Sequence, residues 1–158
     1  MADGAQLRYG IIKGEDNCPK IPGPMGASEV VKSASGRFVT WDGAGFLDIA
    51  DDGDALLAGW IEHNEETTNA TNGVTIAQFL PASGALGVVF RIPVNAGTYV
   101  VGMRGKTTDI ARTTNVQGAK LDASGEDNLI IVDGDLVNNA WVDVMINPSK
   151  LTGYTGVA

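Results

Sequence analysis

The feature that most constrains the fold is a period-two stretch, Ala85–Met103 (ALGVVFRIPVNAGTYVVGM). Leu86, Val88, Phe90 and Ile92 fall on one side of an extended chain, with Ala85, Gly87, Val89 and Arg91 on the other. Pro93-Val94-Asn95-Ala96-Gly97 interrupts the order, and Thr98–Met103 resumes it with Tyr99, Val101 and Met103 on one face. Alternation rich in β-branched and aromatic residues, broken by a Gly-containing loop of this length, predicts a β-hairpin. Two strands alone are marginal in water, so the pair implies a larger sheet.

The same pattern recurs along the chain. Strands are predicted at Leu7–Ile12, Glu29–Lys32, Arg37–Trp41, Phe46–Ile49, Ala55–Glu62, Val74–Leu80 and Trp141–Ile146. Leu129–Val132 reads as a strand buried on both faces, because it is continuously apolar. Asp42-Gly43 and Asp52-Gly53 offer the positive φ that tight turns require. Arg104–Gln117 is rich in threonine, with few apolar positions, and reads as a loop. His63–Gly73 reads as a second polar loop. The count is about nine or ten short antiparallel strands in one sandwich or barrel with little helix, an all-β domain over residues 29–158. Residues 1–28 form a separate N-terminal strand and arm. Pro19, Pro22 and Pro24 exclude helix and central strand there, leaving a surface loop or an arm that grips a neighbour.

Charge and cysteine content narrow the function. A formal net charge of −8 argues against nucleic acid and anionic membranes, which attract cationic surfaces. No apolar run is long enough to span a bilayer as a helix. The N-terminus lacks the basic and apolar pattern of a secretory signal. Cys18 is the sole cysteine, so no intrachain disulfide or Cys-rich zinc site can form, and the chain is expected to fold in a reducing cytoplasm.

No motif supplies chemistry. Gly105-Lys106-Thr107 lacks the first glycine of a phosphate loop, since Val100 stands in its place. Asp48, Asp52 and Gly53 match part of a calcium loop, but Gly59 replaces the closing bidentate Glu. Asp122, Glu126 and Asp127 form another acidic patch. His63, flanked by Glu62, Glu65 and Glu66, is the one histidine, and no nucleophile elbow accompanies it. No catalytic, cofactor-binding or metal residue is therefore assigned, and the chain is not expected to be an enzyme. Trp41, Trp60 and Trp141 are read mainly as core, with at most one as an interface anchor.

A β domain of this size, an extended N-terminal part, a small-residue bias and the closing Gly134–Lys150 segment (GDLVNNAWVDVMINPSK) together resemble the decoration, or cement, proteins of tailed bacteriophages. The likeness spans the chain and rests on overall character, so no residue's role carries over by position. It implies a structural virion protein on the capsid exterior, made in the host cytoplasm, that binds the major capsid protein and bridges its subunits. A homo-oligomer, with a trimer favoured, is implied too. The partner-contact residues expected on the arm are Leu7, Tyr9, Ile11, Ile21 and Met25. The alternatives are another virion component, such as a tail-tube or head-fibre subunit, or a carbohydrate-binding β-sandwich.

Overall fold

The computed structural model describes residues 10–14, 18–31, 35–63, 67–68, 71–113, 116–123 and 125–151. The described residues form thirteen strands, more than the nine or ten expected: β1 (Gly10–Lys13), β2 (Ile21–Pro24), β3 (Val30–Val31), β4 (Ser35–Trp41), β5 (Leu47–Ile49), β6 (Gly59–His63) and β7 (Thr67–Thr68), then β8 (Ile76–Pro81), β9 (Val89–Ala96), β10 (Thr107–Thr113), β11 (Val116–Lys120), β12 (Leu129–Gly134) and β13 (Trp141–Ile146). Helix is confined to three single 3-10 turns among the described residues. The all-β expectation holds, as a half-barrel-like sandwich of a six-stranded and a five-stranded sheet.

The larger sheet runs β1-β9-β11-β10-β12-β13, and β9 pairs with β13 as well, so the sheet closes on itself. The smaller runs β2-β8-β6-β4-β5, and β3 pairs with β7 apart from both. The smaller sheet's edges meet where Met25 bridges to Leu47 and the Gly26 amide donates to the Leu47 carbonyl at 2.8 Å. Period-two order then divides β4, β6 and β8 of the smaller sheet between two cores. Phe38, Trp60 and Leu80 face the larger sheet and join Phe90, Ile92, Ile131, Val142 and Val144 in the main core. Their neighbours Val39, Ile61 and Phe79 point the other way, into a second core inside the curled smaller sheet.

Aromatic packing and polar stitching join the layers. Phe38, Trp60 and Phe90 form a three-ring cluster with centroids 4.7–5.0 Å apart. Gly36 makes room for it, since a Cβ there would fall inside the Trp60 indole. Gln117 on β11 is 3% exposed and acts as a spare length of backbone between the sheets. Its Oε1 accepts from the Phe38 amide (2.8 Å), and its Nε2 donates to the carbonyls of Phe38 (2.9 Å) and Ala50 (2.8 Å). Arg112 on β10 reaches Glu29 at 3.1 Å, and Asn128 donates to the Asp54 carbonyl at 2.6 Å. No buried side-chain polar atom among the described residues lacks a partner.

Several expectations are overturned. The hairpin at Ala85–Met103 does not form: β9 runs straight through Pro93 to Ala96, and Val101–Met103 is a 3-10 turn. Proline fits because Val94 donates to Ala140 beside β13, so strand alternation turns the Pro93 nitrogen away from that ladder. On that other side Gly118 of β11 packs against the Pro93 carbonyl, with no room for a Cβ. Arg104–Gln117 is not a loop but supplies β10 and the start of β11, an antiparallel hairpin paired from Asp109–Lys120 to Thr113–Val116. Its polar side chains are buried with partners: the Thr108 hydroxyl donates to the Lys120 carbonyl (2.9 Å), and the Asp109 carboxylate accepts from the amides of Gly125, Glu126 and Asp127 (2.7–2.9 Å). One strand pairing, β9 with β11, is parallel rather than antiparallel. Leu129–Val132 is not buried on both faces, because Ile130 is half-buried and Val132 exposed. The strand expected at Leu7–Ile12 is present over its described residues as β1 on β9, whereas residues 21–24, placed in the arm, pair with β8 as β2.

Candidate partner-binding surface

At one end of the smaller sheet, a rim of apolar side chains is left exposed, a shallow apolar mouth over its core. β4 and β8 run the same way, because each is antiparallel to β6, while β2 runs opposite to β8. The last residue of β4, Trp41, and the first of β2, Ile21, therefore lie at the same end. Both follow the inward-facing alternation of their strands, Trp41 two residues beyond Val39 and Ile21 two before Gly23. Being terminal, they are left 38% and 44% exposed. The Trp41 ring meets Phe79 edge-on, with centroids 5.8 Å apart at 88°, and Ile21 is the register partner of Phe79. Gly23 lets Leu47 and Phe79 close over the strand, since a Cβ there would collide with both. Thr40 donates its hydroxyl to the Leu56 carbonyl at 3.0 Å, which places another exposed apolar residue beside the end of β4.

A fixed negative charge borders this apolar mouth. The Asp42 carboxylate folds the β4–β5 turn by accepting the amides of Ala44 (2.7 Å) and Phe46 (3.0 Å). The Phe46 amide bond, more than any other contact, holds Asp42 below its ordinary pKa, so it stays ionised into acid. Asp48 is shifted the opposite way, raised by burial and then by the nearby charges of Asp42 and Asp54. Gly43 and Gly45 take positive φ, as the Asp-Gly turn signal implied.

Of the expected contact residues, Leu7 and Tyr9 lie outside the described residues. Ile11 is half-buried on β1, paired with Phe90 and packed on the main core. Ile21 is at the mouth. Met25 is a correction: it is fully buried in the smaller core, so its side chain has no surface to offer a partner. Trp41 is the exposed one of the three tryptophans, of which the sequence allows at most one as an interface anchor; the signal that singles it out is its position immediately before an Asp-Gly turn, at a strand end.

A second exposed apolar set lies near one end of the larger sheet. The loop after β9 is tied to the β12–β13 turn by Asn139, whose Oδ1 accepts the Tyr99 amide (2.8 Å) and whose Nδ2 donates to the Gly97 carbonyl (2.9 Å). Val100 and Val101 on that loop and Leu136 and Val137 in that turn are exposed, Val137 at 88%. Arg104 and Asp133 pair beside them at 2.7 Å.

The weaker motifs are taken up by structure. Gly105 turns the chain at positive φ, and Thr107 opens a strand rather than the helix that a phosphate loop needs. The Asp52 carboxylate accepts from the Arg112 amide (3.2 Å) and the Lys120 ammonium (3.2 Å), another stitch between the layers. His63 ends β6. A cavity of about 350 Å³ is lined by Met103, Lys106, Thr107, Leu121, Asp122 and Ile131, among others. Among the described residues, no cluster of His, Cys, Asp and Glu is placed to hold a metal ion, and no helix is long and apolar enough to cross a membrane.

Fold and surface together define an all-β sandwich with a stitched core and exposed apolar ends. Comparison of the chain with protein-family models and with curated proteins returns no match.

Proposed function

We propose that this chain is a structural virion protein that binds the outside of a phage capsid and stiffens it by bridging major capsid subunits. The observation that carries the reading is the pairing of a cross-stitched body with an apolar mouth where Trp41 and Ile21 are presented. Tryptophan in a partly desolvated pocket is a frequent energetic centre of protein interfaces, and an isoleucine beside it widens the apolar contact. Many weak contacts on a closed shell add up through multivalency, so each mouth needs only modest affinity. A trimer suits that role, because each assembled unit then offers three such contacts, and the virion exterior is where it acts.

The test mixes purified protein with undecorated expanded capsids and measures co-sedimentation. Wild type is expected to bind, and Trp41→Ala with Ile21→Ser to weaken binding by about 2 kcal/mol or more, as hot-spot truncation does. Equal binding by both proteins removes the mouth from the contact, and no binding by either removes the capsid role. A carbohydrate-binding sandwich is the second reading, favoured by the same exposed indole. Glycan-array binding lost in Trp41→Ala would select it.

A further inference from the structure

The seam that closes the smaller sheet contains the chain's single Asn-Gly dipeptide, Asn72-Gly73. Asn-Gly is the peptide sequence most prone to deamidation, because glycine places no side chain in the way of its own backbone nitrogen. That nitrogen bonds to the Asn Cγ and loses its proton, the Cγ–Nδ2 bond breaks, and ammonia leaves. Water then opens the resulting succinimide at one of its two carbonyls, giving aspartate or isoaspartate at the position.

Here both reacting groups are tied to the same opposing segment. The Asn72 Oδ1 accepts the Ala27 amide at 2.7 Å, and the Gly73 amide donates to the Met25 carbonyl at 2.9 Å. The Met25 amide donates in turn to the Thr75 carbonyl at 2.9 Å, and the Gly26 amide to Leu47 at 2.8 Å. Residues 25–27 thus form the strip that joins β8 to β5, and Asn72-Gly73 holds one side of it. Gly73 is fixed at a φ of +74° with Phe46 packed beside it. Ring closure needs the Asn72 side chain to swing onto the Gly73 nitrogen, which breaks the first bond, and needs that nitrogen released from Met25, which breaks the second.

We infer that Asn72-Gly73 is a latent deamidation site, with Asn72 solvent-exposed but the pair held out of reacting geometry by these two hydrogen bonds while the strip of residues 25–27 is in place, and free to react when that seam opens. The consequence is directional. Isoaspartate adds one carbon to the backbone between the Ala27 and Met25 contacts, so both cannot re-form in register and the opened seam stays open. The site is a one-way chemical record of local opening, and it is independent of the capsid reading.

The experiment incubates the intact protein in mildly alkaline buffer, native and in concentrated urea, and follows Asn72 by peptide mapping with isoaspartate detection. The expected result is deamidation at Asn72 faster than at any other asparagine in urea, and slower by roughly tenfold or more in the native protein, as a local opening equilibrium requires. Ala27→Pro, which removes the amide donor to Oδ1, is expected to raise the native rate. Should that variant not fold, native wild type in sub-denaturing urea supplies the partial opening, with the same rise expected. Equal rates in native and unfolded wild type overturn the inference, as does an Asn72 no more reactive in urea than the other asparagines.

Discussion

The two sheets both close on themselves, but with different hardware. The larger closes through β9 and β13, four register pairs from Trp141–Pro93 to Val144–Phe90, backed on the outer face by Arg91. That guanidinium lies 3.6 Å from the Trp141 ring centroid and grips Asp143 with two bonds, at 2.8 and 2.9 Å. The smaller closes through a single bridge, Met25 to Leu47, and the turn at Asn72-Gly73. A ladder distributes the cost of opening over several residues, whereas a bridge concentrates it in one or two bonds. The larger sheet is therefore the frame. The smaller one, with its apolar mouth and thin seam, is the part that opens at lower cost.

Three substitutions sharpen or break this contrast. Trp60→Ala removes the ring shared by both layers and is expected to cost about 3–5 kcal/mol in urea unfolding, as large aromatic truncations do. Retention of wild-type stability would show that the layers do not depend on their aromatic contact. Gln117→Leu keeps the volume but strands the Phe38 amide and the Ala50 carbonyl, for an expected loss of about 2–4 kcal/mol. Unfolding that splits into two transitions in this variant would mean that the stitch, more than the apolar contact, couples the sheets. Met25→Ala empties part of the smaller core at an expected cost of about 2–4 kcal/mol. Hydrogen exchange should then quicken in β2, β5 and β8 before β9, β12 and β13, and uniform quickening would erase the distinction between frame and seam.

The smallest effect is one of pH. Burial raises the Glu29 pKa above 4.5, outweighing the attraction of Arg112, so its charged form is disfavoured in the fold. A raised carboxyl contributes stability that is complete below its unfolded pKa and is lost as pH rises through the folded value. Glu29→Gln imitates the protonated form, so the stability of wild type relative to this variant is expected to fall from about pH 4 towards pH 7. Urea melts across that range check it; a difference that grows with pH reverses the assignment.

Strand chemistry was written locally in most places. Arg37–Trp41, Phe46–Ile49 and Trp141–Ile146 announce themselves by alternation, and Asp42-Gly43 by its turn residues, because these depend only on neighbours in the chain. The hairpin of β10 and β11 was hidden because its buried positions include Thr108, Asp109 and Gln117, polar residues whose partners come from 125–127, Lys120 and β4. Pro93 misled for the same reason, since its tolerance depends on which flank of β9 is occupied. At the candidate surface, Ile21 was legible as an apolar residue in an extended segment. Trp41 was not, because exposure depends on where a strand stops relative to the others.

By itself, then, the sequence determined the all-β class, most strand positions and the turn chemistry, each a property of a few adjacent residues. Only the tertiary structure decided that the sheets curl shut, that Met25 is core while Trp41 is left exposed at a strand end, and that the polar side chains of the β10–β11 hairpin are satisfied. Those outcomes depend on partners tens of residues away, and hydrogen bonds and burial are settled by distance in space rather than along the chain.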